Sequence, residues 1–119
     1  MTDYKIWVKK DPRWNLRPGV LRYLAKKVLK EEGIESGELS IFLVGARKAR
    51  QLNITYRDMD YVPQVLAFPV SGLMPGSCLG DIVLCLPLLR EEARQKNTLI
   101  DTVAEEWLRH GIRNLLGKT

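Results

Sequence analysis

Histidine and cysteine are scarce in this chain, with one and two copies among 119 residues. The two thiols, Cys78 and Cys85, lie seven apart with no CxxC pair, which argues against a disulfide framework or a zinc ribbon. They read as reduced thiols, one of them buried. A lone imidazole, His110, cannot build a zinc site unaided, because such a site takes about three protein ligands. No HExxH string occurs, which removes a zinc protease of that type. Long apolar runs are missing as well. The opening MTDYKIWVKKDPRW contains no uninterrupted apolar stretch, so no secretory signal is expected. One charge-free segment, Tyr61 to Gly80, has the length of a membrane span. It is broken by Pro63, Pro69, Pro75, Gly72, Gly76 and Gly80 and reads as strand plus loop. The expectation is a cytoplasmic protein without a membrane partner.

What is present is charge, unevenly placed. The net charge is +5, with 45% hydrophobic and 28% charged residues, the composition of an ordinary globular protein. Residues 1–60 hold 13 basic and 8 acidic side chains, and residues 61–119 hold 6 of each. Within residues 1–30 the count is 9 basic to 2 acidic. A basic first quarter on a neutral body points to a polyanionic partner, nucleic acid first. The length corresponds to a single domain, residues 1–119, with one core.

Periodicity supplies the elements. Tyr4 to Val8 partly alternates and reads as a strand. Pro18 opens a helix whose apolar stripe is Val20, Leu21, Leu24, Val28 and Leu29, with Gly33 as its stop. Leu39 to Val44 is a near-continuous apolar run, the pattern of a strand covered on both faces. Gly45 begins a second helix with apolar positions Ala46, Ala49, Leu52 and Tyr56. Val65 to Val70 and Gly80 to Leu86 read as strands joined by a Pro/Gly loop. Pro87 opens a short helix to about Lys96. Thr98 and Asp101 resemble a capping box for a terminal helix carrying Leu99, Val103, Trp107, Leu108, Ile112 and Leu115. The order β-α-β-α-β-β-α-α gives an α+β fold: a single domain with a small mixed four-stranded sheet and helices packed on it.

Few residues suit chemistry. His110 is the natural proton acceptor or metal ligand, and Glu106 and Asn114 lie one turn to either side of it. Arg57 offers a forked, permanently charged donor set that suits phosphate. Arg13, Trp14 and Arg17 interleave an aromatic with cations, as single-strand binders do, although Trp14 also suits a packing role. Arg22, Lys26, Lys27 and Lys30 form a basic flank of the first helix and are the candidate cations for a nucleic-acid partner, which the resemblance below makes RNA.

Four strings occur in order: Leu52-Asn53-x-x-Tyr56-Arg57-x-x-Asp60, Val65-Leu66-x-Phe68-Pro69, Leu79-Gly80-Asp81-Ile82-Val83, and His110-Gly111-x-x-x-Leu115-x-Gly117. Together they resemble the YbeY-type rRNA maturation factors, over about Glu38 to Gly117. The resemblance implies a zinc-dependent, single-strand-specific endoribonuclease acting on small-subunit ribosomal RNA. It also implies the small ribosomal subunit and ribosome-assembly proteins as partners, with Arg57 and His110 as catalytic residues. The family's metal motif is H-G-x-x-H with a third histidine six residues on. His110 and Gly111 match it, Asn114 takes the second histidine's place, and the third would fall at position 120, one past Thr119. Pro63, Gln64 and Ala67 replace the Thr, acidic or amide, and Ser positions of the family's second motif. Two functions stay open: a metal-dependent endoribonuclease, and a non-catalytic RNA- or ribosome-binding assembly factor.

Overall fold

The computed structural model describes residues 3–14, 16–69 and 78–118. Its elements are β1 (Asp3–Lys9), α1 (Pro18–Glu31), β2 (Ser36–Val44), α2 (Ala46–Arg57), β3 (Val65–Pro69), β4 (Cys78–Cys85), α3 (Leu86–Gln95) and α4 (Ile100–Leu115). The order matches the one expected, and the class is α+β. The sheet runs β1-β2-β4-β3. β1 pairs with β2, and β2 with β4, in parallel, while β3 pairs with β4 antiparallel. The proline in β3 is tolerated because β3 is an edge strand. Val70 and most of the Pro/Gly loop fall outside the described residues.

The core explains the layering. Ile6, Leu39, Ile41, Leu43, Ile82 and Leu84 alternate onto one face and meet buried residues of α1, α3 and α4. The apolar run of β2 predicted cover on both faces, and this needs correction. Gly37, Leu39, Ile41 and Leu43 are buried, but Ser40, Phe42 and Val44 are only half-buried. Three helices cover one face; on the other, α2 brings Lys48, Leu52 and Tyr56 against Phe42, Val44, Phe68 and Val83.

Pro18 occupies the first turn of α1 as expected. At the helix end, Gly33 is left-handed (φ +80°), its N–H donates to Lys30 O, and that of Ile34 to Leu29 O. This closes the terminal carbonyls in a Schellman motif. The capping box at Thr98 does not form. α4 begins at Ile100 with Leu99 in the cap position and no side-chain cap bond. Thr98 is instead used by the preceding helix: its N–H donates to Ala93 O, while Asn97 takes φ +51°. The same closing motif therefore ends α3, and the residue that resembled a start belongs to a stop.

Two glycines set the distance between layers. In α4, a Cβ on Gly111 would sit 3.0–3.2 Å from three atoms of the buried Ile82 side chain, so the helix lies directly on β4. In β4, Gly80 has φ +140°, and a Cβ there would run into the backbone of Phe68 and Pro69. On the flank of α4 facing α1, ion pairs link the helices: Lys27–Glu105 (2.9 Å), Arg109–Glu31 (2.7 Å) and Arg113–Glu32 (2.8 Å). Both cysteines are free; Cys85 is buried, and burial pushes its thiol up. Among the described residues no helix is long and apolar enough to cross a membrane.

Candidate functional site

α2 ends at Arg57, and Asp58 follows in the left-handed conformation (φ +55°). The turn redirects the chain into the segment leading to β3. Asn53, fully buried one turn before Arg57, donates from Nδ2 to Tyr61 O (3.1 Å), pinning that segment to the helix. Asp60 pairs with Arg50 at 2.6 Å, and Cys85 N–H donates to Gln64 O (3.0 Å), tying the far end of the segment to the sheet. The segment is held at three points, so Arg57 and Tyr61 stand in a fixed relation, with guanidinium and phenol oxygen 3.5 Å apart.

Against this segment packs the flank of α4 that faces away from α1. Here Arg57, Tyr61, Pro63, Gln64, Trp107 and His110 line a cleft of about 470 Å³. A second concavity of about 190 Å³ adjoins it, where Arg57, Ala67, His110 and Asn114 meet. The structure thus brings three residues singled out from sequence, Arg57, His110 and Asn114, to one place. Glu106 does not join them. It reaches Lys96 at the end of α3 (3.6 Å) and does not line the cleft. The helical spacing was right, but a cation on the neighbouring helix takes the carboxylate.

Sequence reasoning missed part of the wall. Trp107 is 5% exposed and donates its indole N–H to Glu92 (3.1 Å). Glu92 also accepts from Gln64 (3.4 Å) and pairs with Lys96 (3.4 Å). One carboxylate therefore holds two residues of the cleft, through contacts between α3, α4 and the segment before β3 that no spacing rule reveals. A proline at position 63, buried in the wall, carries no N–H to offer a ligand.

The α1 cations lie elsewhere. Lys26, Lys27 and Lys30 line a concavity with Tyr4 of β1, at the opposite edge of the sheet from β3. Lys27 is ion-paired with Glu105, which raises its pKa by hydrogen bonding first and charge second. Arg22 donates to Ile6 O (3.1 Å). Among the described residues Lys26 and Lys30 have no carboxylate partner. Arg13 is engaged by Asp11 at 2.6 Å, and the hydrogen bonds it donates hold that carboxyl at about 2. Trp14 packs against the core, so this turn is largely structural.

Chemically, the His110 cleft carries one imidazole, one guanidinium, two amides and a phenol. Among the described residues no group of three or more His, Cys, Asp or Glu is placed to hold a metal ion. A guanidinium beside a single imidazole disfavours a divalent cation and favours an anion.

The family model described as Endoribonuclease YbeY matches residues 9–118. The Endoribonuclease YbeY of Bordetella pertussis is 40% identical over 108 residues, covering 89% of this chain and 68% of that protein. That of Bordetella avium is 35% identical over 119 residues, 97% of this chain and 72% of its own length. The solution structure of TM1509 from Thermotoga maritima is similar in fold, with a TM-score of 0.63 and 24% identity, over 94% of this chain and 71% of that one. The chain belongs to the YbeY endoribonuclease family.

Proposed function

We propose that the chain is a ribosome-maturation factor that binds single-stranded ribosomal RNA of the small subunit in the cytoplasm, and that its His110 cleft seats a phosphodiester without a resident zinc ion. The supporting observation is the convergence of Arg57, His110 and Asn114 at the edge of β3. Arg57 can donate two parallel hydrogen bonds to a phosphate. His110 Nδ1 or Nε2 and the Asn114 amide complete a donor set for an anion. The family's zinc centre does not fit these residues, because the helix position one turn after His110 holds an amide instead of an imidazole. No step is therefore derived through the metal.

A second reading, RNA cleavage with Arg57 and His110 as catalytic residues, is favoured by the name Endoribonuclease YbeY carried by the relatives. Elemental analysis and binding assays on the intact chain separate the two. The binding reading expects well under one equivalent of zinc, uptake rising in Asn114→His, and no RNA cleavage. Arg57→Ala should weaken binding and reduce the slope of log K against log salt by about 0.7. A full equivalent of zinc lost in His110→Ala, with cleavage lost alongside it, would overturn the binding reading and establish the catalytic one.

A further inference from the structure

We propose that the sheet face turned away from α1, α3 and α4 is a second RNA site, which stacks the bases of a single strand on Trp7, Phe42 and the Tyr56–Phe68 pair. This rests on the RNA-binding reading above and extends it to the other side of β3.

Strand alternation puts these groups together. The exposed residues of β1 are Asp3, Lys5, Trp7 and Lys9, and the register neighbours of the last three on β2 are Glu38, Ser40 and Phe42. Phe42 in turn lies beside Val83 of β4, and Asp81 of β4 beside Phe68 of β3. α2 leaves part of this face open. Two concavities share Phe42: one of about 480 Å³ between α2 and the sheet, bounded by Lys48, Tyr56, Phe68 and Asp81, and one of about 340 Å³ bounded by Trp7, Lys9 and Glu38. The larger is within the range of small-ligand sites.

The aromatics are both exposed and held. Trp7 is 58% and Tyr56 66% exposed, far beyond what core packing needs. Trp7 donates its indole N–H to Glu38 at 3.0 Å, and Tyr56 meets Phe68 edge-on with centroids 5.2 Å apart. Rings fixed in advance lose little freedom when a base stacks on them. The stations step across the sheet by one strand from Trp7 to Phe42 and by two more to Phe68, as on other four-stranded sheets that read unstacked bases.

The border selects the partner. Among the described residues Lys5, Lys9 and Lys48 have no carboxylate partner, whereas the Glu38 carboxylate is already engaged by Trp7. Lysine is depleted in protein–protein interfaces but is the usual companion of stacking aromatics along a single strand. Asp81, exposed in the larger concavity, accepts from the exocyclic amino group of a base such as cytosine.

The test is fluorescence anisotropy of the intact chain with a labelled single-stranded RNA and its duplex at fixed salt. Trp7→Ala and Tyr56→Ala should each weaken single-strand binding roughly tenfold, while Trp7→Phe retains it. Lys9→Glu should lower the salt slope more than removing one charge does. These positions are on the surface, and circular dichroism of each variant is the check that it folds. If both alanine variants leave Kd within about twofold while Arg57→Ala weakens it, the face is not an RNA site and the RNA-binding reading stands. If the wild type binds no single-stranded RNA, both fall. Protection from hydrogen exchange by RNA confined to α4 and residues 57–64 would likewise overturn the proposal.

Discussion

Gly111→Ala sets two known effects against each other. Inside a helix, alanine is favoured over glycine by about 1 kcal/mol, and position 111 lies well within α4. On propensity alone the variant would be more stable. The added methyl, however, would stand 3.0 Å from Ile82 Cδ1 and 3.2 Å from both Cγ atoms, against about 3.5–4.0 Å for relaxed carbon contacts. Ile82 is fully buried in the middle of the sheet and cannot swing aside. Overpacking of this kind costs about 1–3 kcal/mol, so the net expectation is a loss of about 1 kcal/mol, or roughly 4 °C in Tm. The informative comparison is the same substitution in an Ile82→Ala background. That background is itself less stable by about 2–5 kcal/mol, but it removes all three obstructing atoms. There Gly111→Ala should stabilise by about 1 kcal/mol, giving a coupling of about 2 kcal/mol in a double-mutant cycle measured by urea unfolding. Stabilisation by Gly111→Ala in the wild-type background, or a cycle without a change of sign, would refute the claim that helix–sheet contact is what requires glycine here.

Gly80→Ala combines a forbidden φ with a clash against the paired edge strand; a loss above about 3 kcal/mol is expected, and an unchanged thermal midpoint would contradict it. Asn53→Ala removes the buried bond that pins Tyr61 O; about 1–3 kcal/mol should be lost, with faster proteolysis between residues 58 and 64 as the local readout. Glu105 is held below its ordinary 4.5 by the bonds from Lys27 and then Arg109. A depressed carboxyl stabilises the fold above its unfolded value and loses that contribution as pH falls through the lower folded value. Glu105→Gln should therefore flatten the acid limb of the stability curve below pH 4.5, and a mutant curve parallel to wild type throughout would count against the ion pair.

Where periodicity and backbone-specific residues agree, the fold was legible. Pro18 and Gly33 bracket α1, and Pro87 marks the first turn of α3, because each restricts the backbone wherever the rest of the chain lies. The apolar run of β2 was ambiguous: Phe42 and Val44 look like core residues, but whether a second layer covers them depends on how far α2 reaches. Thr98 misled because one residue can serve the end of one helix or the start of the next, and only the left-handed Asn97 decides between them. For the site, Arg57 and His110 were legible as chemistry, and their meeting required the β3 edge to lie between α2 and α4. Asn53 read as a motif letter, and its burial shows it to be the anchor of the segment beside Arg57. Glu106 was placed beside His110 and Lys27 among the RNA-binding cations, but Glu106 meets Lys96 at the end of α3 and Lys27 meets Glu105 of α4, which a helical wheel cannot display.

Both open margins of the sheet carry features that discourage another chain from hydrogen-bonding onto them. β1 alternates lysine outward at positions 5 and 9, and β3 is five residues long and ends on Pro69, which has no N–H to give. A neighbouring copy or a nascent peptide thus finds no extended ladder to continue. The consequence is colloidal: the protein should remain dispersed at high concentration despite its exposed aromatic rings, and whatever binds it must approach through side chains on the two faces.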